Sequence, residues 1–146
     1  GTGRFLDEGR NVIFQGPPGV GKTHLAIALG LGCAERGQRL LFLTALELAR
    51  RMKTAFAQNR MPHYLKMLTT PKLLIVDELG YVPLSQTGAE LLFEVFSQRY
   101  ERGSTIVTSN LPFDECARLF ASASLPDALL DRLASSLPRV PVNAAL

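Results

Sequence analysis

Residues 16–23, with the sequence GPPGVGKT, constrain the fold of this chain more than any other segment. They lie between a short β-branched run, NVIFQ at residues 11–15, and a segment with helical spacing at residues 24–36. Glycines let a loop turn its N–H groups toward an anion, and the following helix adds unpaired N–H groups and the positive end of its dipole. The G-x-x-x-x-G-K-[ST] pattern in this context predicts a loop that binds the phosphates of a nucleotide.

Two side chains of this loop have separate predicted tasks. Lys22 reaches the β- and γ-phosphates, and the Thr23 hydroxyl binds Mg²⁺, so we expect ATP and Mg²⁺ as ligands. The residues assigned to nucleotide binding are Gly16, Pro17, Pro18, Gly19, Val20, Gly21, Lys22, Thr23 and His24.

Further short runs rich in apolar or β-branched residues occur at residues 40–44, 73–76 and 104–109. Such runs, separated by helical segments, are typical of parallel strands that are covered on both faces. The intervening helices are predicted at residues 45–57 and 85–101. The alternation predicts an α/β sandwich with a parallel sheet.

The first of these helices has apolar residues at helical spacing, which places Phe56 in its buried face and its charged residues toward solvent. Near the end of the chain two more helices are predicted, at residues 114–121 and 126–136. A last short run follows at residues 139–142, where Pro138 and Pro141 weaken the prediction of a strand.

The strand LLIVDE at residues 73–78 ends in two adjacent acids. Acids at the end of a buried strand are costly unless they project into a site, and ligands bind at the carboxyl ends of strands in open α/β sheets. We expect Asp77 to hold Mg²⁺ and Glu78 to be the base that orients and polarises the attacking water. An ordinary capped strand end is the alternative.

A third polar element, Thr108-Ser109-Asn110, ends the strand at residues 104–109. A neutral side chain there can position water beside the γ-phosphate. The same residue types also end strands and begin turns, so both interpretations stay open on position alone.

Composition and charge narrow the class of protein. With 146 residues, 47% apolar and 20% charged, the chain fits one globular domain, and its longest apolar stretch is too short to span a membrane. Cys33 and Cys116 lie in apolar helical patterns and are interpreted as reduced thiols of a cytoplasmic protein. Residues 48–72 carry six basic residues and no acid, which favours either nucleic-acid binding or a solvated helix face.

The three polar elements, in this order and with an Asp-Glu pair at the second, resemble those of the AAA+ ATPases. GPPGVGKTHLA, LLIVDELGYVPL, RYERGSTIVTSNLPF and DALLDRL are similar, more narrowly, to the IstB family of transposition helper ATPases, close relatives of the DnaC-type helicase loaders. The resemblance covers residues 10–133. It implies a P-loop NTPase AAA+ core with a five-stranded parallel sheet, order 5-1-4-3-2, sandwiched by helices, as a single domain over residues 1–146.

The resemblance also implies site residues. Gly16 to Thr23 matches Walker A, Asp77 and Glu78 match Walker B, and Asn110 matches sensor 1. Arg132 matches the arginine finger, which would stabilise charge on the phosphate of a neighbouring subunit and make hydrolysis depend on a homo-oligomer. A surface arginine paired with Asp131 or Asp127 is the alternative for Arg132. The implied catalytic residues are Lys22, Glu78, Asn110 and Arg132.

The implied activity is ATP-dependent assembly on DNA, without sequence preference and on duplex, in support of a transposase. The alternatives are a replicative helicase loader and a nucleotide-gated DNA-binding module with little turnover. The residues expected to contact DNA as a group are Arg50, Arg51, Lys53, Arg60 and Lys66.

Two features of the family find no match in this sequence. Arg139 does not lie in the family's sensor 2 motif, so no sensor 2 residue is assigned, and the small N-terminal partner-binding domain is not found. We therefore expect weakened coupling between hydrolysis and work.

Overall fold

The computed structural model describes residues 11–15, 21–80, 85–99, 102–111 and 139–141. The strands are β1 (Asn11–Gln15), β2 (Leu40–Thr44), β3 (Leu73–Leu79), β4 (Ser104–Ser109) and β5 (Arg139–Pro141). The helices are α1 (Lys22–Glu35), α2 (Ala45–Ala57), α3 (Met61–Thr69) and α4 (Gln86–Arg99).

The five strands form one sheet in the order β2-β3-β4-β1-β5, and every neighbouring pair is parallel. This is the predicted order 5-1-4-3-2, so the fold class and the strand order are confirmed. The strand over residues 139–141 forms despite Pro141, because β5 lies at the edge of the sheet and, among the described strands, pairs with β1 alone. An edge strand can accept a proline, since one side of its backbone makes no ladder hydrogen bonds.

The core has two parts, one on each face of the sheet. Alternate residues of β3 point to opposite faces, so Leu74 and Val76 join the cluster under α2, α3 and α4, while Leu73 and Ile75 join Ala26 and Cys33 of α1. Both faces of β3 are therefore buried, which explains the continuous apolar run that the sequence shows there.

Helix α2 has the predicted bounds, and Glu47, Arg50, Arg51 and Lys53 are exposed as expected. The prediction that Phe56 is buried is wrong, because its side chain is 69% exposed. In the last turn of α2 the covering element is α3, and Ala55 rather than Phe56 lies on the side that meets Tyr64.

Helix α3 was not predicted as a separate element. It begins after a turn in which Asn59 takes a left-handed conformation (φ 55°) and the Arg60 N–H donates to the Ala55 carbonyl at 2.8 Å. This bond closes the C-terminus of α2, and Pro62 then lies in the first turn of α3, where a missing N–H costs nothing.

Helix α4 shows the predicted buried residues Leu92, Val95 and Phe96, and ends at a fully buried Arg99. The guanidinium donates from all three nitrogens, to Thr105 Oγ1 and to the carbonyls of Leu68, Pro71, Lys72 and Ser104, at 2.6–3.3 Å. Burial lowers the pKa of Arg99 to about 10. Arg99 thus joins α4 to the end of α3 and to the starts of β3 and β4.

Cys33 is a buried free thiol, and its burial raises its pKa. Cys116 and the helices predicted at residues 114–121 and 126–136 lie outside the described residues. None of the helices in the described ranges is long and apolar enough to cross a membrane.

Candidate active site

The carboxyl ends of three adjacent strands bring the predicted site residues to one edge of the sheet. The register pairs Gln15 of β1 with Ser109 of β4, and Ser109 with Leu79 of β3. The chain leaves β1 toward α1 at this edge, and Asp77, Glu78 and Asn110 lie at the same level. Ligands bind in this position in open α/β sheets.

Helix α1 begins at this edge without a side-chain cap. Its N-cap is Gly21, in a left-handed conformation (φ 89°, ψ 14°) that residues with a Cβ rarely adopt. An N-terminus without a capping side chain or an acid in its first turn favours an anion, because the helix dipole is positive there. Of the predicted nucleotide-binding residues, Gly21, Lys22, Thr23 and His24 are described, and residues 16–20 lie outside the described ranges.

The first helical residue, Lys22, is buried at this edge. Burial lowers the pKa of its ammonium group, and the negative charge of Asp77 acts in the opposite direction. An ammonium group at the N-terminus of a helix adds its positive charge to that of the helix dipole, and both favour an anion there. Lys22 is therefore placed to contact a phosphate at the start of α1.

Thr23 and Asp77 meet across the two elements. The Thr23 hydroxyl donates to Asp77 Oδ1 at 3.0 Å, and its oxygen is 3.2 Å from Oδ2. Asp77 is 4% exposed and also accepts a hydrogen bond from the Thr108 hydroxyl. A hydroxyl and a carboxylate in contact form an oxygen donor pair of the kind that Mg²⁺ prefers, so these residues fit the predicted metal position.

Glu78 differs from Asp77 in both exposure and backbone conformation. Its side chain is exposed, and its φ is 62°, in the left-handed region. Apart from Asn59, it is the one residue other than glycine with positive φ in the described ranges. Strained backbone of this kind occurs often at functional sites. The adjacent acids therefore separate, one buried against Thr23 and the other open to solvent.

Asn110 follows β4 and is partly exposed, but its Oδ1 atom is buried and makes no hydrogen bond within the described part of the chain. A buried acceptor without a donor is costly in a folded protein. At this edge of the sheet the atom can accept a hydrogen bond from a water molecule or a ligand.

The turn after β3 packs against the segment that carries Asn110. Gly80 has a φ of 96°, and a Cβ at this position would lie 2.4 Å from Leu111 Cδ1. Glycine suits this position, because other residues rarely adopt this backbone conformation and a Cβ would require the Leu111 side chain to move. The turn after β3 therefore lies close to the residue that follows Asn110.

The basic side chains predicted to contact DNA are all exposed. A groove of about 370 Å³ lies between α2 and α3. Three of these basic side chains line the groove, namely Arg50, Arg51 and Arg60, whereas Lys53 and Lys66 do not. Arg51 also lies 3.9 Å from Glu47, an exposed pair one turn apart. Arg132 lies outside the described residues.

Three residues near these sites were not assigned a role from the sequence: His63, Tyr64 and Thr108. His63 and Tyr64 also line the groove, and the Tyr64 hydroxyl is buried without a hydrogen-bond partner in the described ranges. Thr108 was assigned to a polar element without a role of its own. Thr108 lies at the end of the strand next to the one that carries the Asp-Glu pair, and this position could have indicated a contact with those acids.

Comparison with known proteins identifies relatives of the chain. The model of the family described as IstB-like ATP binding protein matches residues 2–145. An insertion sequence IS21 putative ATP-binding protein of Pseudomonas aeruginosa is 43% identical over 129 residues, 88% of this chain and 49% of the relative. An insertion sequence IS232 putative ATP-binding protein of Bacillus thuringiensis subsp. berliner is 41% identical over 130 residues, 89% of this chain and 52% of the relative. The chain thus spans about half the length of these relatives.

Solved structures with the same fold include a DnaC helicase loader and a replication initiator. The DnaC helicase loader superposes with a TM-score of 0.75 at 27% identity, covering 94% of this chain and 80% of that protein. The replication initiator DnaA, bound to AMPPCP and single-stranded DNA, superposes with a TM-score of 0.78 at 20% identity, over 97% of this chain and 42% of that one. The second similarity supports the AAA+ fold alone.

Proposed function

Because this chain belongs to the IstB-like family of ATP-binding proteins, we propose that it hydrolyses ATP with Mg²⁺ at the carboxyl edge of its sheet. The observation that carries the proposal is the contact between Thr23 and Asp77, two residues 54 positions apart, beside the N-terminus of α1. Through this contact the N-terminus of α1, where a phosphate would bind, lies next to the acidic end of β3.

Each of the described site residues would have a separate role in ATP binding or hydrolysis. Gly21, Lys22 and the first N–H groups of α1 hold the phosphates, together with the loop at residues 16–20. Thr23 and Asp77 would hold Mg²⁺, which supplies positive charge against the phosphate oxygens when bound. The carboxylate of Glu78 is exposed toward solvent and accepts a proton from the attacking water. Asn110 Oδ1 accepts a second hydrogen bond from this water and orients it.

We further propose that hydrolysis requires a homo-oligomer. Arg132 of one subunit would stabilise the charge on the phosphate bound by the next, as an arginine finger does. Activity per molecule would then rise with protein concentration.

The groove between α2 and α3 is the proposed contact with DNA. Arg50, Arg51 and Arg60 line it together with His63. These groups suit a backbone phosphate, which is a sequence-independent contact. Lys53 and Lys66 would contribute to the field around the groove rather than to the contact.

The partner is proposed to be a transposase, because the relatives with 41% and 43% identity are named as insertion sequence proteins. A helicase loader is the second candidate, favoured by the similarity to the DnaC helicase loader over 94% of this chain. Since ATP and genomic DNA are found together in the cytoplasm, we propose that the protein acts there.

The test is ATP turnover measured against protein concentration, with and without duplex DNA at low salt. We expect the rate per molecule to rise with both. Glu78→Gln should abolish turnover while ATP still binds, and Lys22→Ala should remove ATP binding itself. A flat, near-zero rate with clear ATP binding would contradict hydrolysis and support the nucleotide-gated module instead.

The DNA contact is tested separately by comparing two double variants of equal charge. Arg50→Ala with Arg60→Ala removes cations that line the groove, and Lys53→Ala with Lys66→Ala removes cations outside it. We expect the first pair to weaken duplex binding more than the second at equal salt concentration. Equal losses would contradict a contact in the groove and leave only a diffuse electrostatic attraction.

A further inference from the structure

Strands β3 and β4 do not keep a constant register at the candidate active site. Val76 pairs with Val107, but the next pair is Leu79 with Ser109. The chain thus advances three residues on β3 and two on β4, so β3 carries one extra residue between these pairs. The irregularity contains Asp77 and Glu78, and it is where Glu78 takes its left-handed conformation.

The Thr108 side chain holds this irregularity. It is 1% exposed, and its hydroxyl oxygen accepts the Glu78 N–H at 2.9 Å. The same hydroxyl donates its proton to Asp77 Oδ1. One hydroxyl group on β4 is therefore bonded to the carboxylate of one acid and to the backbone of the other.

The next residue of β4 secures the other end of the irregularity. The Ser109 hydroxyl donates to the Leu79 carbonyl at 2.7 Å and accepts the Leu111 N–H at 3.1 Å. Asn110 lies between Ser109 and Leu111, the two residues that the second bond connects. Consecutive hydroxyls on β4 therefore fix three consecutive residues of β3, and one of them also fixes the turn that carries Asn110.

We infer that Thr108 is a positioning residue for the proposed hydrolysis, acting through Glu78 and Asp77. A non-glycine residue rarely takes φ near 60°, so the direction of the Glu78 carboxylate depends on bonds that hold its backbone in that conformation. The Glu78 N–H has such a bond only because Thr108 supplies an acceptor. This inference rests on the proposed function, in which Glu78 accepts the proton of the attacking water.

Two substitutions in the full chain separate the hydroxyl from the shape of the side chain. Thr108→Val keeps the branched shape and removes the hydroxyl, whereas Thr108→Ser keeps the hydroxyl. Thr87→Val, at an exposed position of α4, is the matched control. ATP turnover is measured with saturating DNA, and ATP affinity is measured separately with a fluorescent analogue.

We expect Thr108→Val to lower kcat by about 100-fold, as a misplaced catalytic group does, while KM and ATP affinity change by less than roughly 3-fold. Thr108→Ser should restore most of kcat, and Thr87→Val should change neither quantity. If kcat is unchanged in Thr108→Val, or if it falls together with ATP affinity and the serine variant does not recover it, the inference is overturned.

Hydrogen exchange at the Glu78 amide tests the same contact without hydrolysis. In Thr108→Val this amide loses its acceptor, and we expect exchange at least about 10-fold faster than in the native chain and in Thr108→Ser. Unchanged exchange would overturn the positioning role. If the native chain shows no turnover at all, the proposed function fails, whereas faster exchange in Thr108→Val alone would still support the contact.

Discussion

The Thr23 hydroxyl donates to Asp77 Oδ1 at 3.0 Å, although these residues belong to different elements. The contact predicts how ATP binding depends on Mg²⁺. In Thr23→Val one oxygen ligand is lost without a change of shape, and we expect ATP affinity in Mg²⁺ to fall by about 10-fold or more, while affinity in EDTA stays nearly constant. Titration of a fluorescent ATP analogue under both conditions is the measurement. Thr23→Ser is the control, and equal affinity of the valine variant in Mg²⁺ would exclude Thr23 as a ligand.

The close approach of Leu111 to Gly80 predicts that alanine at position 80 destabilises the fold much more than alanine at another glycine of positive φ. Gly37 also has positive φ (71°), but no atom lies within 4 Å of the Cβ position there, so Gly37→Ala should cost only about 1–2 kcal/mol of backbone strain. Gly80→Ala adds a collision with Leu111, and we expect a loss of about 3 kcal/mol or more in the free energy of unfolding. Urea unfolding measures both variants.

Leu111→Ala provides the check on this explanation. Combined with Gly80→Ala it removes the colliding atoms, so the double variant should be more stable than the sum of the two single losses predicts. If the two losses simply add, the collision is not the cause.

The strands and the phosphate loop were predictable because their signals are local. Continuous apolar runs mark strands buried on both faces, and the loop pattern requires particular residues at fixed spacing. Phe56 shows the limit of this reasoning: its spacing matches the buried face of α2, but burial depends on α3, which the sequence analysis did not predict as a separate helix. The irregularity at Glu78 was likewise invisible, because an extra residue is defined by the partner strand and not by the strand that carries it.

Arg99 was missed for a related reason. Arginine is rarely fully buried, and only the tertiary structure shows that carbonyls from several segments surround this one. A guanidinium offers five N–H donors, and all its nitrogens are used here. Sequence spacing cannot reveal acceptors that lie up to 31 residues away.

This arrangement predicts a strong dependence of stability on Arg99. Arg99→Met removes the five hydrogen bonds that the guanidinium donates in the interior, and we expect the free energy of unfolding to fall by about 3 kcal/mol or more. Arg99→Lys should recover only part of this loss, because an ammonium group has three donors and no planar fork. Urea unfolding is the measurement, with Arg102→Met at an exposed position as the control. A loss no larger than that of the control would contradict the structural role.

The burial of the Tyr64 hydroxyl predicts that this side chain ionises at a higher pH than an ordinary tyrosine. Burial raises the pKa of Tyr64 to about 12, with Arg51 acting to lower it and Glu47 to raise it. Because the folded pKa exceeds the value of 10.0 for an unperturbed tyrosine, the folded state keeps its proton longer. The contribution of Tyr64 to stability is therefore full below pH 10 and is lost as the pH rises toward 12. The difference in absorbance at 295 nm between the native chain and Tyr64→Phe measures it; ionisation near pH 10 would contradict the burial.

The burial of the Tyr64 hydroxyl also predicts that one substitution changes stability without changing DNA binding. Its hydroxyl is buried without a partner in the described ranges, so Tyr64→Phe removes an unsatisfied polar group and should raise the free energy of unfolding by about 1 kcal/mol. Because this hydroxyl is buried, it does not contact a phosphate in the groove, and we expect the same change to leave duplex binding unaltered. Urea unfolding and a DNA titration at fixed salt concentration measure the two effects, with Met67→Leu as a control that keeps the groove apolar at another position. A variant that is more stable but binds DNA more weakly than the native chain would contradict the burial of the hydroxyl. Loss of both stability and binding would instead mean that the hydroxyl has a structural partner.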